Sequence, residues 1–220
     1  MFRSGALNFL PHLPGSVMFD ARARRFIDPP LNWFGGLLAR LGLSANAVTV
    51  GGFLIGVAGC VALAYAEYTL ALVLILLNRV ADGLDGAVAR RMGLTDFGGY
   101  LDIVLDTLFY SGVPFAFAIG QPAFVLPAAF LIYSFVGTGG SFLAYATIAA
   151  KRNLTTQARG RKSFYYHAGL MEGTETIAFF VLFCLFPDHF PILAWTFGGL
   201  CWITTALRIM GAAAEFRVKS

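Results

Sequence analysis

Charge is scarce in this chain. Asp, Glu, Lys and Arg make up 13% of its 220 residues against 58% apolar, where a soluble globular chain carries about 25% charged residues. A soluble core of this size cannot hide so much apolar surface, so the composition excludes a soluble fold and implies an integral membrane protein. Cysteine is scarce too. Cys60, Cys184 and Cys201 lie in apolar stretches without metal or disulfide spacing, and read as small buried hydrophobes. His12, His167 and His189 lie far apart and show no ligand spacing. The net charge of +4 forms no basic stripe, because the basic residues lie in loops between apolar runs. That excludes a nucleic-acid partner. There is no internal repeat of the transporter kind and no low-complexity segment. Met1 to Pro14 has no long apolar run and no small-residue cleavage site, so no cleavable signal peptide is expected.

What the chain has in abundance is apolar runs. Six follow one another, each near the roughly 20 residues a bilayer needs: about 47–66, 70–90, 98–119, 123–150, 169–186 and 192–213. Ser44-Ala45-Asn46 offers an N-cap before the first. Residues 1–43 are not a span. Arg22, Arg24, Arg25 and Arg40 alternate there with Phe19, Phe26, Ile27, Leu31, Trp33, Phe34, Leu37 and Leu38. Pro30 suits a helix start, and Leu31 to Leu41 has helical apolar spacing. The expectation is an all-α integral membrane fold: six transmembrane helices over residues 44–220, preceded by an amphipathic helix on the cytoplasmic face in 1–43. Packing of that first helix on the protein itself is the alternative.

Loop charge sets the orientation. The connectors around Glu67, Gln121 and Asp188-His189 contain no Lys or Arg. The others contain Arg90 and Arg91, then Lys151, Arg152, Arg159, Arg161 and Lys162, and both tails are basic. By the positive-inside rule both termini are cytoplasmic. Pro114, Pro122, Pro127, Pro187 and Pro191 cluster at or near the outer ends. Gly52-x3-Gly56 is a small-residue helix contact, and Gly137-Thr138-Gly139-Gly140 offers another close approach.

The chemistry lies between Asp82 and Asp106. Four carboxylates, Asp82, Asp85, Asp102 and Asp106, sit in otherwise apolar sequence. Leu70 to Val80 leads in with one charge, Arg79, and Ile103 to Ile119 leads out with one, Asp106. An ionised carboxylate at membrane depth costs several kcal/mol unless something compensates it. Asp82 and Asp85 are i, i+3 and share one helical face; Asp102 and Asp106 are i, i+4 and share another. Two such helices face to face bring four carboxylates to one point. Like charges that close require a cation, and hard oxygen ligands favour Mg²⁺, Mn²⁺ or Ca²⁺ over zinc. Gly83, Gly86 and Ala89 keep the charged face small, which leaves room for a ligand against the backbone, and Arg90 suits phosphate. A structural acidic cluster and a cation pathway in a transporter are the competing readings.

This stretch resembles the signature of the CDP-alcohol phosphotransferases, D-x2-D-G-x2-A-R followed by G-x3-D-x3-D. Asp82, Asp85, Gly86, Ala89, Arg90, Gly98, Asp102 and Asp106 stand at its eight fixed positions. The spacer Arg91 to Phe97 is seven residues where the family commonly has eight, which shortens a loop rather than breaking a helix register. Asn46 and Thr49 also resemble the Asn-x2-Thr that precedes the family's first span.

The resemblance implies transfer of a phosphatidyl or other substituted phosphate group from a CDP-linked lipid to an alcohol, with release of CMP. It implies Asp82, Asp85 and Asp102 as metal ligands for Mg²⁺ or Mn²⁺, two per site. Asp106 is implied as general base and further ligand, and Gly86, Ala89, Arg90 and Gly98 as the donor side. A homodimer in a bacterial inner membrane, with the site facing the cytoplasm, is expected. The acceptor is open among glycerol 3-phosphate, an inositol phosphate, serine and choline. The surplus of arginine tilts toward a phosphorylated one. Arg152 and Arg208 are the candidate cations for it. Arg208 either holds an anionic substrate or snorkels to the headgroups. Glu172 and Glu175 serve either an acceptor or metal, or are acids placed at a helix N-terminus. Outside the family, an aspartate-rich prenyltransferase would use two separated clusters in a longer chain, and a cation transporter would move metal without binding nucleotide.

Overall fold

The computed structural model describes residues 17–152 and 173–217, and among them every regular element is helical. Helix α1 is Val17–Arg40, α2 Ala45–Ala64, α3 Tyr68–Met92, α4 Asp96–Gly120, α5 Val125–Lys151, α6 Gly173–Leu185 and α7 Phe190–Arg217. Short 3₁₀ turns at Pro122–Phe124 and Pro187–His189 lead into α5 and α7, each with its proline at the turn's start. Ser44 caps α2, its hydroxyl accepting from the Ala47 N–H at 3.2 Å. Thr95 caps α4 in the same way, accepting from the Gly98 N–H at 3.0 Å.

The seven-residue spacer resolves into very little loop. α3 runs to Met92 and α4 starts at Asp96. Gly93 turns the chain with φ +104°, a left-handed conformation that disfavours other residues. Residues 93–95 alone connect the two helices, and both aspartate pairs lie on helix.

Glycines let α2, α3 and α4 come together. A Cβ on Gly52 would lie 2.8 Å from that of Ala81, and one on Gly59 would lie 3.3 Å from that of Leu74, so α2 and α3 run antiparallel in close contact. A Cβ on Gly56 would lie 2.7 Å from the Phe109 ring and 3.0 Å from the Asn78 amide. The Gly52-x3-Gly56 pair is thus the face on which both neighbours pack. α2 and α4 run parallel, with Asn46 beside Gly98 at one end and Leu63 and Ala64 beside Gly120 at the other. Of the later glycine cluster, Gly137 approaches Thr205 on α7, while Gly139 and Gly140 face open space.

The core fills one half of this bundle. Phe117 stacks on Phe190 at 4.2 Å between ring centroids, with Phe180, Phe183, Val113, Ile75 and Leu131 buried around them. The same helices carry their acids in the other half, so α4 goes from Asp102 and Asp106 to Phe109, Val113 and Phe117.

Four segments are long and apolar enough to cross a membrane: Ala45–Ala64, Asp96–Gly120, Pro122–Lys151 and Pro187–Phe216. The other two expected spans fall short for definable reasons. α3 has the length, at 25 residues, but carries the charges of the motif. α6 is apolar but only 13 residues long within the described part. α1 differs from expectation at its start. It begins at Val17 and runs through Pro29 and Pro30, although an interior proline removes a helical hydrogen bond and crowds the preceding turn. Gly35 and Leu31 of α1 pack on Ala87 and Gly83 of α3, while Trp33, Phe34 and Leu37 are exposed.

Candidate active site

Three helices wall one polar cavity. α2 supplies Thr49, Gly52 and Phe53; α3 supplies Asn78, Arg79, Asp82 and Asp85; α4 supplies Asp102, Leu105 and Asp106. The helical spacing explains the convergence: each aspartate pair lies on the face its own helix turns toward the other. Asp82, Asp102 and Asp106 each place a carboxylate oxygen within 4.8 Å of the others. Asp85 lies deeper at 7% exposure, and its Oδ2 is buried without a hydrogen-bond partner. A buried polar atom left unpaired costs about 1–3 kcal/mol, and more if charged. The donor set is all oxygen, clustered, and includes an orphaned buried carboxylate oxygen. That fits a hard divalent cation.

Among the charged residues of this cavity, Arg79 had no role assigned from sequence alone. Arg79 is buried, with 9% side-chain exposure, while Asp82 and Asp106 keep 36% and 30%. Its Nη2 donates to Asp106 Oδ1 at 2.9 Å and its Nη1 to the Tyr110 hydroxyl at 2.9 Å. Its Nε donates to Asn78 Oδ1 at 2.8 Å, and Asn78 Nδ2 in turn donates to the Gly52 carbonyl at 2.8 Å. Arg79 Nη1 is 3.7 Å from Asp82 Oδ2. The guanidinium also lies over the Phe109 and Tyr110 rings, at 4.8 and 5.0 Å. The available signal in the sequence was its i, i+3 spacing to Asp82.

The motif's small residues and second arginine lie toward the α3–α4 connection. A Cβ on Gly86 would lie 3.3 Å from Arg90 Nη1, so the Arg90 side chain folds back toward Gly86. Arg90 is exposed and its Nη2 donates to Asn32 Oδ1 of α1 at 3.3 Å. Ala89 is half-buried beside it. Gly98 lies in the first turn of α4, where a Cβ would meet Thr95 Oγ1 at 2.9 Å and Asn46 Oδ1 at 3.1 Å. The residues expected to hold an acceptor lie elsewhere. Arg152 is exposed; its Nη1 donates to the Phe216 carbonyl at 3.0 Å and its guanidinium lies over the Phe216 ring. Arg208 Nη1 donates to the Thr138 carbonyl at 3.0 Å. Neither lines the carboxylate cavity. Glu175 is half-buried in the first turn of α6, and Glu172 lies outside the described residues.

Four motif aspartates around one cavity, on a helical bundle of apolar spans, define a membrane enzyme class. The chain belongs to the CDP-alcohol phosphatidyltransferase family, whose model matches residues 43–210. It is 50% identical over 193 residues to the inner membrane protein YnjF of Escherichia coli (strain K12), spanning 87% of this chain and 94% of that protein. It is 34% identical over 101 residues to an archaetidylinositol phosphate synthase of Pyrococcus horikoshii, spanning 46% of this chain and 54% of that one. Its fold matches the crystal structure of Mycobacterium tuberculosis phosphatidylinositol phosphate synthase with CDP-DAG bound. The TM-score is 0.60 at 22% identity, over 82% of this chain and 92% of the other. The chain is therefore an integral membrane protein of a phosphotransferase family.

Proposed function

We propose that this protein transfers a phosphatidyl group from a CDP-linked lipid such as CDP-diacylglycerol to the hydroxyl of a phosphorylated alcohol, releasing CMP. The observation that carries the reading is the convergence of Asp82, Asp102 and Asp106 within 4.8 Å, beside the buried Asp85. Asp82, Asp85 and Asp102 would hold Mg²⁺ or Mn²⁺, two per site, with Asp106 as a further ligand. Such cations, when bound, supply positive charge over the donor's diphosphate and over the attacking and leaving oxygens. Little covalent chemistry is then asked of the protein beyond positioning and charge.

The chain's own residues divide that task. Asp106 accepts the proton of the acceptor hydroxyl, a role open to a carboxylate within hydrogen-bond reach. Arg90 binds donor phosphate oxygens, for which its planar fork is suited. Gly86, Ala89 and Gly98 keep the neighbouring backbone accessible to the nucleotide. The lipid tails stay in the bilayer. The reading places the site and both termini on the cytoplasmic side, where nucleotides are, and takes the working unit to be a homodimer. A phosphorylated acceptor fits the arginine surplus and the names of two relatives, an archaetidylinositol phosphate synthase and a phosphatidylinositol phosphate synthase. Arg152, Arg208, Glu172 and Glu175 are the residues assigned to it from the sequence, although Arg152 and Arg208 do not line the carboxylate cavity. The test is purified protein with CDP-diacylglycerol and Mn²⁺, screened against pooled alcohols. CMP release that depends on a phosphorylated alcohol supports the reading, and its absence with every pool overturns it.

A further inference from the structure

We infer that Arg79 is a built-in counter-cation of the carboxylate cavity, which fixes Asp106 through one oxygen and sets how tightly the cluster takes a divalent ion. The inference rests on the metal-site part of the proposed function. Three observations carry it. The Arg79 side chain is only 9% exposed, well below Asp82 and Asp106, which stay partly open at 36% and 30%. All three kinds of its nitrogen are engaged, by Asn78, Tyr110 and Asp106, so the guanidinium has one defined position rather than a mobile one. Asn78 is itself fixed to the α2 backbone at Gly52, which ties the arginine to the Gly52–Gly56 face on which α3 and α4 pack.

The consequence follows from charge and geometry. Among the described residues that line the cavity, four are aspartates and Arg79 is the cation. A unit positive charge a few ångströms from the cluster offsets part of its attraction for a divalent ion, and that effect is large where water is sparse. It also stabilises the cluster when no metal is present. Nη2 takes up one lone pair of Asp106 Oδ1 and so fixes the direction in which this carboxylate presents its remaining lone pairs. Arg79 is thus a positioning residue, not one that touches the reacting atoms. Lysine cannot replace it fully, since a point charge cannot satisfy Asp106, Tyr110 and Asn78 in one fork.

The experiment compares purified full-length wild type, Arg79→Gln and Arg79→Lys for Mn²⁺ binding by titration calorimetry, and separately for CMP release. Arg79→Gln should bind Mn²⁺ about tenfold more tightly or better, because it loses the competing charge. Its turnover at saturating Mn²⁺ should fall about 100-fold, the scale on which a displaced catalytic group costs rate. Arg79→Lys should keep wild-type Mn²⁺ affinity within about threefold while losing about tenfold or more in turnover, a split that a merely structural residue would not give. Unchanged or weaker Mn²⁺ binding by Arg79→Gln overturns the inference, as does equal tightening in Arg79→Lys. If Arg79→Gln does not fold, the split in Arg79→Lys decides: affinity and turnover falling together overturn it. If wild type binds Mn²⁺ but releases no CMP, the transferase reading fails, and the Mn²⁺ affinities still test the inference.

Discussion

Arg79 and Asp106, 27 residues apart and on neighbouring helices, meet at 2.9 Å across the floor of the carboxylate cavity. That contact joins the two halves of the motif before any ligand arrives. Asp106 is thereby held differently from Asp82, whose carboxylate is 3.7 Å from the same guanidinium. The two aspartates should consequently respond differently to removal of charge.

Asp82→Asn should abolish turnover and weaken Mn²⁺ binding. Loss of an outer partner to a metal ligand typically costs about 10–100-fold in affinity, and loss of a ligand itself should cost at least that. Titration calorimetry with Mn²⁺ measures it. Unchanged affinity with full activity would remove Asp82 from the metal site.

Asp106→Asn should lower turnover by about 10²–10⁴-fold, the usual contribution of a general base, while donor binding falls far less. Three carboxylates remain to hold metal and donor. Binding of CDP-diacylglycerol and CMP release are measured side by side. Loss of donor and Mn²⁺ binding as complete as in Asp82→Asn would make Asp106 an essential ligand instead.

Gly56→Ala should destabilise the bundle. Its new methyl would lie 2.7 Å from the Phe109 ring and 3.0 Å from the Asn78 amide, and overpacking of this kind costs about 1–3 kcal/mol. Gly51→Ala, where nothing lies within 4 Å, is the matched control. Thermal unfolding in detergent should separate them, and equal melting temperatures would show that the α2–α4 contact is loose.

Cysteine introduced at Gln121 or Asp188 should label from outside the cell, and cysteine at Lys151 should not. The expectation rests on the absence of Lys and Arg from alternate connectors. The opposite pattern would reverse the topology and remove cytoplasmic access for a nucleotide.

The motif was legible because its information is local. Two spacings, i, i+3 and i, i+4, place Asp82 with Asp85 and Asp102 with Asp106 on shared faces, and α3 and α4 are continuous helix through both pairs. Apolar length placed the first span at 47–66 against an observed Ala45–Ala64, and the third at 98–119 against Asp96–Gly120. Pro122 and Pro187 start the turns that lead into α5 and α7. The partners of Arg79 were not legible, since a lone cation in an apolar run does not reveal a carboxylate one helix away. Pro30 suggested a helix start that the fold does not use, since α1 runs from Val17 through both prolines. Arg152 was grouped with the site by charge, and Arg208 by charge and its place within the last span; each bonds a backbone carbonyl at 3.0 Å between α5 and α7.

The central claim is that the carboxylates of α3 and α4 bind a CDP-linked donor through a divalent cation. Its most direct measurement is CDP-diacylglycerol binding to purified wild type and Asp82→Asn, each with Mn²⁺ and with EDTA. The expected result is donor binding by wild type in Mn²⁺ alone, and none by Asp82→Asn in either condition. Equal donor affinity with Mn²⁺ and with EDTA in the wild-type protein would contradict the claim.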